Sequence, residues 1–305
     1  MTISASLVKD LREKTGAGMM DCKKALTETN GDFEQACDWL RTKGLAAAAK
    51  KAGRVASEGL TALKVKGLSG AVVEINSETD FVSKNEVFQK LVREVADIAV
   101  DVKDIEALRA AKTASGKTVG DEIVDKVATI GENITLRRMQ SISVSDGVIA
   151  SYVHNSSAEN MGRIAVIVAL ESTGDKEVLA EAGKKIAMHI AAAKPESLDK
   201  DSVDPALIEK EKTIFTEQSR ASGKPDNIIE KMIEGRIRKF LEEIVLLDQI
   251  FVMDGKSKIS EVIADLSKQV NAPVKLKSYV RFEIGEGIEK EETNFADEVA
   301  AVTKR

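Results

Sequence analysis

The chain has 305 residues, too many for one ordinary core, and this length predicts two or three domains. With 43% hydrophobic and 31% charged residues, it is expected to fold as a globular protein with a well-solvated surface. A formal net charge of −5 argues against broad, non-specific binding of nucleic acid, which needs a basic face.

The cysteines and the apolar runs indicate the cellular compartment, and the histidines bear on metal binding. Cys22 and Cys37 do not make a disulfide framework in a chain of this length, which favours a reducing cytoplasm. No early apolar run resembles a signal peptide, and none is long enough to span a membrane. Besides the cysteines, only His154 and His189 offer soft ligands, without metal-ligand spacing, so no metal or cofactor is expected.

Three short amphipathic helices are predicted within residues 1–54. Asp32, followed three residues later by Gln35, predicts the N-terminal cap of the third helix. The two cysteines fall on apolar stripes and are interpreted as core packing. Met19 and Met20 are adjacent, and adjacent helical residues cannot both face one core. One of them is therefore expected to be presented to a partner.

Residues 44–59 are rich in alanine and lysine. They could continue the third helix and then form a linker at Gly53. A local nucleic-acid patch is the alternative, but the stretch has no aromatic residue for stacking. A solvated helix end and a hinge are favoured.

A strand, a polar loop and a helix follow. Residues 60–65 and 71–75 predict a β-hairpin with glycine at the turn. After the loop, apolar residues recur at three- and four-residue spacing up to Ile98. Ser83 and Glu86 predict a capping box that begins this helix, with Val82 and Val87 as its hydrophobic staple.

Phe81 is the one apolar residue near this loop with no periodic reason to face the core. It could fold back under its own loop, or it could be an exposed wedge beside Asp80, intended for a partner. The order strand, turn, strand, polar loop and helix occurs again from Gly147, with a longer turn predicted at residues 155–162. This order predicts an internal repeat of two α+β subdomains.

The second copy serves as a control for the first. It has Thr173-Gly174-Asp175 at the turn where the first copy has Thr79-Asp80-Phe81. The scaffold therefore does not need an aromatic residue there, which favours a functional role for Phe81.

Further along, residues 130–134 precede a basic, alternating strand. Gly131 either lets the backbone approach another chain closely or simply ends a helix, and both interpretations stay open. His154 is predicted to end a strand at the tip of the second hairpin, where a lone histidine is usually solvated. His189 lies on an apolar helix and is interpreted as structural.

Two antiparallel helices are predicted within residues 203–246, interrupted by a turn at residues 222–225. This hairpin cannot bury both of its faces alone, so it should pack on the body or on another subunit. Strands at residues 251–253 and 274–284 and a helix between them complete the second subdomain. Phe295, Val299 and Val302 mark a terminal helix.

Four stretches of this chain, in this order, resemble the elongation factor Ts family. They are residues 15–26, the Thr79-Asp80-Phe81-Val82 loop, residues 130–134 and residues 281–289. The resemblance implies a guanine-nucleotide exchange factor that binds elongation factor Tu, in its GDP-bound and nucleotide-free forms. It also implies that the hairpin is a coiled coil that forms a homodimer.

The resemblance also carries roles to individual residues. The N-terminal bundle, similar to a ubiquitin-associated domain, would contact the G domain of elongation factor Tu, and the C-terminal module would be a further contact. The implied partner-binding residues are Thr79, Asp80, Phe81 and Val82 in the loop, with Arg12, Met19, Met20, Lys23, Ile130, Gly131 and His154 elsewhere. For Arg12 and Lys23, plain solvated charge is an equal alternative.

The predicted fold class is α+β, with a small three-helix bundle, two repeated subdomains, an inserted helical hairpin and a C-terminal helix. The predicted domains are residues 1–54, 55–140, 141–202 together with 247–284, 203–246, and 285–305. In exchange, Phe81 would wedge between partner helices, and Asp80 would hold the loop or disturb polar contacts near the metal bound by the partner.

The sequence disfavours two other functions. An enzyme is disfavoured because the sequence has no Walker-type loop, dinucleotide fingerprint or recognisable nucleophile–base pair. An RNA-binding or scaffold protein of the translation apparatus is the alternative, disfavoured by the acidic charge and by only 4% aromatic residues.

Overall fold

The computed structural model describes residues 3–15, 17–220 and 226–289 of the chain. Ten α-helices and six β-strands lie within these ranges, which confirms a mixed helix and sheet fold. The first half comprises α1 (Ala5–Thr15), α2 (Met19–Glu28), α3 (Phe33–Lys51), β1 (Glu58–Lys66), β2 (Ser69–Ser77), α4 (Glu86–Ala99), α5 (Ile105–Ala110), α6 (Val119–Ile130) and β3 (Thr135–Ser143). The second comprises β4 (Gly147–Ala158), β5 (Met161–Glu171), α7 (Lys176–Ala193), α8 (Pro205–Arg220), α9 (Asp226–Ile244), α10 (Ile259–Gln269) and β6 (Lys275–Glu283).

Helices α1 to α3 pack around a small core of their own. Leu11, Cys22 and Leu26 are fully buried in it, and burial raises the pKa of both the Cys22 and the Cys37 thiols. Both cysteines therefore serve packing, as predicted. The Asp32 carboxylate accepts the Gln35 N–H at 2.9 Å, which confirms the predicted cap of α3.

The α3 helix continues beyond the bundle and packs on α6. A Cβ placed on Gly44 would lie 3.4 Å from the Ala128 Cβ, which shows how closely the two helices approach. The bundle and the first subdomain thus share a helix–helix contact. The predicted domain boundaries stay predictions.

The strands within the described ranges form one curled antiparallel sheet made of two meanders. In the first meander β2 pairs with β1 and β3, and in the second β5 pairs with β4 and β6. A short pairing of β1 with β5, between Thr61 and Gly162, joins them. The inner faces of the meanders pack together through residues such as Leu63, Val72 and Ile167. Helices α4 and α6 cover the outer face of the first meander, and α7 and α10 cover that of the second.

The two meanders begin in the same way. A Cβ on Gly59 would lie 2.3 Å from the Ile75 carbonyl oxygen, and one on Gly147 would lie 2.0 Å from that of Leu170. Both glycines have positive φ, at 116° and 136°. Only glycine fits at the start of the first strand of each copy, because a side chain there would collide with a carbonyl oxygen of the second strand. The repeat also extends further than the sequence predicted, because each copy ends in a third strand.

Two predictions about the second copy are wrong. The turn between β4 and β5 is tight, because Asn160 adopts a left-handed conformation (φ 58°) that asparagine tolerates. His154 therefore lies within β4, opposite Ile164, instead of ending a strand. Residues 251–253 form a turn and not a strand, with only an isolated bridge between Ile250 and Lys258 beside it.

Helices α8 and α9 run side by side from a small apolar base. Val203, Ile244 and Val245 are buried there, and the Arg236 guanidinium lies 5.5 Å from the centre of the Phe215 ring further out. A homodimer through this hairpin stays a prediction. The predicted terminal helix at residues 295–302 and the turn at residues 222–225 lie outside the described residues.

Candidate functional site

The loop after β2 presents Phe81 to solvent. Its side chain is 77% exposed, whereas the next residue, Val82, is buried in the core of the first subdomain. Phe81 is therefore not folded back under its own loop. Asp80 is also exposed, and its carboxylate makes no ion pair or hydrogen bond with another residue of the described ranges.

The predicted start of the following helix is wrong. Residues Val82–Lys84 form a short 3-10 helix, and α4 begins only at Glu86. The Asn85 side chain caps it by accepting the N–H groups of Val87 and Phe88, at 2.9 and 3.3 Å. Ser83 Oγ instead donates to the Asp80 carbonyl at 2.6 Å. The predicted staple is absent, since Val87 is 45% exposed.

The loop is fastened to the turn after α6. The Thr79 N–H donates to Glu132 Oε2 at 2.9 Å, and the Thr79 hydroxyl donates to Oε1 of the same carboxylate at 2.6 Å. One residue earlier, Glu78 Oε1 accepts the Asn133 N–H at 2.6 Å. Two of the sequence motifs, 53 residues apart, therefore meet in space.

The end of the N-terminal segment joins the same junction. The Asn133 side chain donates to the Arg54 carbonyl at 2.8 Å, and the Arg54 guanidinium lies 3.5 Å from the Glu78 carboxylate. The hydrogen bond from the Asn133 N–H to the Glu78 carboxylate is charge-assisted, and such bonds are stronger than neutral ones. The backbone around Phe81 is thus held from two directions, while the phenyl ring itself stays free.

Ile130 and Gly131 form the rim of this junction. Gly131 ends α6 in a left-handed conformation (φ 90°), and its N–H donates to the Val127 carbonyl at 3.1 Å. Ile130 is half-buried and packs against the core of the first subdomain. The structure confirms the interpretation that Gly131 ends a helix. A contact with a partner stays a prediction.

The N-terminal bundle presents a second exposed apolar site. Met19 and Met20 are 59% and 75% exposed, so both side chains face solvent, and their contact with a partner stays a prediction. Both lie in the first turn of α2, before its buried stripe begins at Cys22. Arg12 and Lys23 are exposed as well, and neither forms a salt bridge with another described residue.

The two histidines differ in their surroundings. His154 is exposed, with its Nδ1 3.0 Å from the Tyr152 hydroxyl. His189 is fully buried: its Nδ1 accepts the Val252 N–H at 3.3 Å, which leaves Nε2 to donate to Gln249 at 2.9 Å. Burial lowers the pKa of His189, so the neutral ring is favoured. Its structural role is confirmed.

Sequence reasoning missed a buried carboxylate, Glu74 on β2. It is fully buried and bonds to the guanidinium groups of Arg137 and Arg138 on the neighbouring strand. It also accepts the Gly285 N–H at 2.9 Å. This cluster fastens the motif at residues 281–289 to the first meander. An acidic residue inside an apolar run was the available signal.

Metal binding and membrane crossing each require a recognisable feature, and the described ranges contain neither feature. No group of histidine, cysteine and acidic residues there is arranged to hold a metal ion. Every helix that the structure describes is too short or too polar to span a bilayer. The feature that stands out is an exposed aromatic beside an unpaired carboxylate, on a backbone held from two sides. This geometry is typical of proteins that present a preformed contact loop to a partner.

Comparison with known proteins gives the family. The sequence model of the family described as Elongation factor TS matches residues 78–286. Elongation factor Ts of Rickettsia bellii (strain OSU 85-389) is 59% identical over 305 residues, which is 100% of this chain and 99% of that protein. Elongation factor Ts of Rickettsia felis (strain ATCC VR-1525 / URRWXCal2) is 58% identical with the same coverage. The chain belongs to the elongation factor Ts family, and it is therefore a translation elongation factor.

Proposed function

We propose that this chain binds elongation factor Tu in its GDP form and accelerates GDP release, so that GTP can load. The observation that carries this proposal is the Phe81 side chain, 77% exposed on a loop whose backbone is fixed. A large apolar side chain held out in this way is available for burial in a partner, and aromatic residues are frequent binding hot spots. The chain would act as a cytoplasmic binding factor and not as an enzyme.

The mechanism follows from how G proteins hold their nucleotide. Mg²⁺ bridges phosphate oxygens and protein groups, so that disturbing the metal site loosens GDP. Phe81 would wedge between elements of the partner that support this site. The Asp80 carboxylate, unpaired within the described residues, would compete for polar contacts near the metal. Binding is reciprocal: a factor that lowers the affinity for GDP must itself bind the GDP form less tightly.

The remaining contacts would hold the two proteins together. Met19 and Met20 offer adaptable apolar surface on the bundle, whose proposed likeness is to a ubiquitin-associated domain. Arg12 and Lys23 would supply charged contacts beside them. The proposal extends to three further residues of the body, Ile130, Gly131 and His154, and to a homodimer through residues 203–246.

The test is release of labelled GDP from elongation factor Tu at rising concentrations of this chain. A release rate that rises to a plateau well above the spontaneous rate supports the proposal, and an unchanged rate contradicts it. The alternative, RNA binding, is tested by titrating RNA at two salt concentrations, because phosphate contacts make affinity strongly salt-dependent. Tight, salt-dependent RNA binding together with unchanged GDP release would favour the alternative.

A further inference from the structure

Glu132 connects the turn after α6 to the loop that carries Phe81. Both of its carboxylate oxygens are engaged by Thr79, one by the backbone N–H at 2.9 Å and one by the hydroxyl at 2.6 Å. A bidentate arrangement fixes direction as well as distance, since two bonds to one group resist rotation. The half-buried position of Glu132 adds to this restraint.

Thr79 is held on its other side as well. Its carbonyl accepts the Ser77 hydroxyl at 3.0 Å. The next carbonyl, that of Asp80, accepts the Ser83 N–H at 3.2 Å and the Ser83 hydroxyl at 2.6 Å. These bonds fix the backbone immediately before Phe81 and leave the side chains of Asp80 and Phe81 exposed.

We propose that Glu132 is a positioning residue for nucleotide exchange. By holding Thr79, it fixes the direction in which Asp80 and Phe81 meet the partner. The loop then loses little conformational entropy on binding, and the ring enters in the orientation that opens the metal site. Glu132 need not touch the partner itself. This inference rests on the proposed exchange function.

Substitutions of Glu132 separate the carboxylate from the rest of the turn. Glu132→Ala removes both bonds to Thr79. Glu132→Gln keeps an oxygen that accepts the Thr79 N–H, and its amide can donate to the hydroxyl oxygen. Glu132→Ala is therefore expected to lower the plateau rate of GDP release about tenfold, and Glu132→Gln to restore most of it.

A matched control lies in the same subdomain. Glu94 is also half-buried, and its carboxylate accepts the Ala114 N–H at 2.6 Å, but this bond holds a different loop. Glu94→Ala removes a carboxylate bond to the backbone N–H of Ala114, which is not part of the loop that carries Phe81. It should leave the plateau rate unchanged. Thr79→Val removes only the hydroxyl bond, and should lower the rate less than Glu132→Ala does.

The position of the loop can be measured without the partner. Chymotrypsin cleaves after exposed phenylalanine, and cleavage of the full chain between Phe81 and Val82 can be timed by mass spectrometry. Glu132→Ala should be cleaved several-fold faster than the unaltered chain, because local opening frees the loop. Glu132→Gln and Glu94→Ala should be cleaved at the original rate.

The two measurements together decide the proposal. Faster cleavage with a lower plateau in Glu132→Ala, and recovery of both in Glu132→Gln, supports it. Unchanged cleavage, or faster cleavage with an unchanged plateau, overturns it. If Glu132→Ala does not fold, Thr79→Val decides by the same criteria. If the unaltered chain does not accelerate GDP release from elongation factor Tu, the exchange proposal fails. Faster cleavage of Glu132→Ala would still identify Glu132 as the residue that fixes the loop.

Discussion

Replacing Phe81 by alanine tests whether this exposed side chain is required to accelerate GDP release from elongation factor Tu. Since 77% of Phe81 is exposed, most of the stabilisation that its burial can provide remains for a partner to supply. Burying a phenylalanine side chain is worth about 1.5–3 kcal/mol, which corresponds to about 10- to 150-fold in an equilibrium constant. The substitution should keep the fold and lose most of the exchange activity.

The assay separates docking from exchange. If Phe81 contributed only to docking, saturating amounts of Phe81→Ala would restore the full rate of GDP release from elongation factor Tu. If the ring opens the metal site, the plateau itself falls, because the missing wedge acts in the exchange step. We expect the plateau to fall.

Phe88 is the matched control for stability. It lies seven residues further on and is fully buried in α4. Phe88→Ala should cost about 3–5 kcal/mol and lower the melting temperature by roughly 6–20 °C. Phe81→Ala should stay within about 0.5 kcal/mol of the unaltered chain, as is usual for surface positions. A drop in melting temperature like that of Phe88→Ala, or an unchanged plateau, would refute the reasoning.

Three further predictions follow from other parts of the fold. Stability should fall as the pH drops below about 6.5, because unfolded His189 takes up a proton that burial disfavours in the folded chain; urea midpoints at pH 7.5 and 5.5 should differ less in His189→Gln. Replacing residues 209–239 by a short glycine linker should keep the body folded and change the number of subunits per particle in sedimentation; an unchanged number counts against the dimer. Removing residues 1–54 should weaken binding to elongation factor Tu and leave a cooperative calorimetric transition, whose loss would show that α3 belongs to the core on which it packs.

Sequence patterns predicted those features of the fold that neighbouring residues determine. The hairpin of β1 and β2 and the Asp32 cap of α3 depend on residues close together in sequence, and both are observed. The exposure of Phe81 could also be anticipated, because the helical stripe does not include it and the second copy has no aromatic there. The start of α4 could not, since Ser83 and Asn85 are both good capping residues. Residues 82–84 form a 3-10 turn that buries Val82, and α4 therefore begins after Asn85, which caps it.

The sequence did not indicate which distant segments would contact each other. Glu132 bonds to a residue 53 positions away, and Glu74 bonds to one 211 positions away. Glu132 could equally have been a solvated charge, and the apolar run around Glu74 indicated burial but no partner, because periodicity reports which face of an element is buried and not which polar groups meet. The sequence therefore indicated the contact loop but not the residues that hold it in place.

The central claim is that the chain accelerates GDP release from elongation factor Tu by disturbing the partner's metal site. The most direct test measures the release rate with and without saturating chain, first in excess Mg²⁺ and then after the metal has been removed with a chelator. The account predicts a large acceleration when Mg²⁺ is present and a much smaller one when it is absent, because the contact that the chain would break has already been lost. An equal acceleration under both conditions would contradict it.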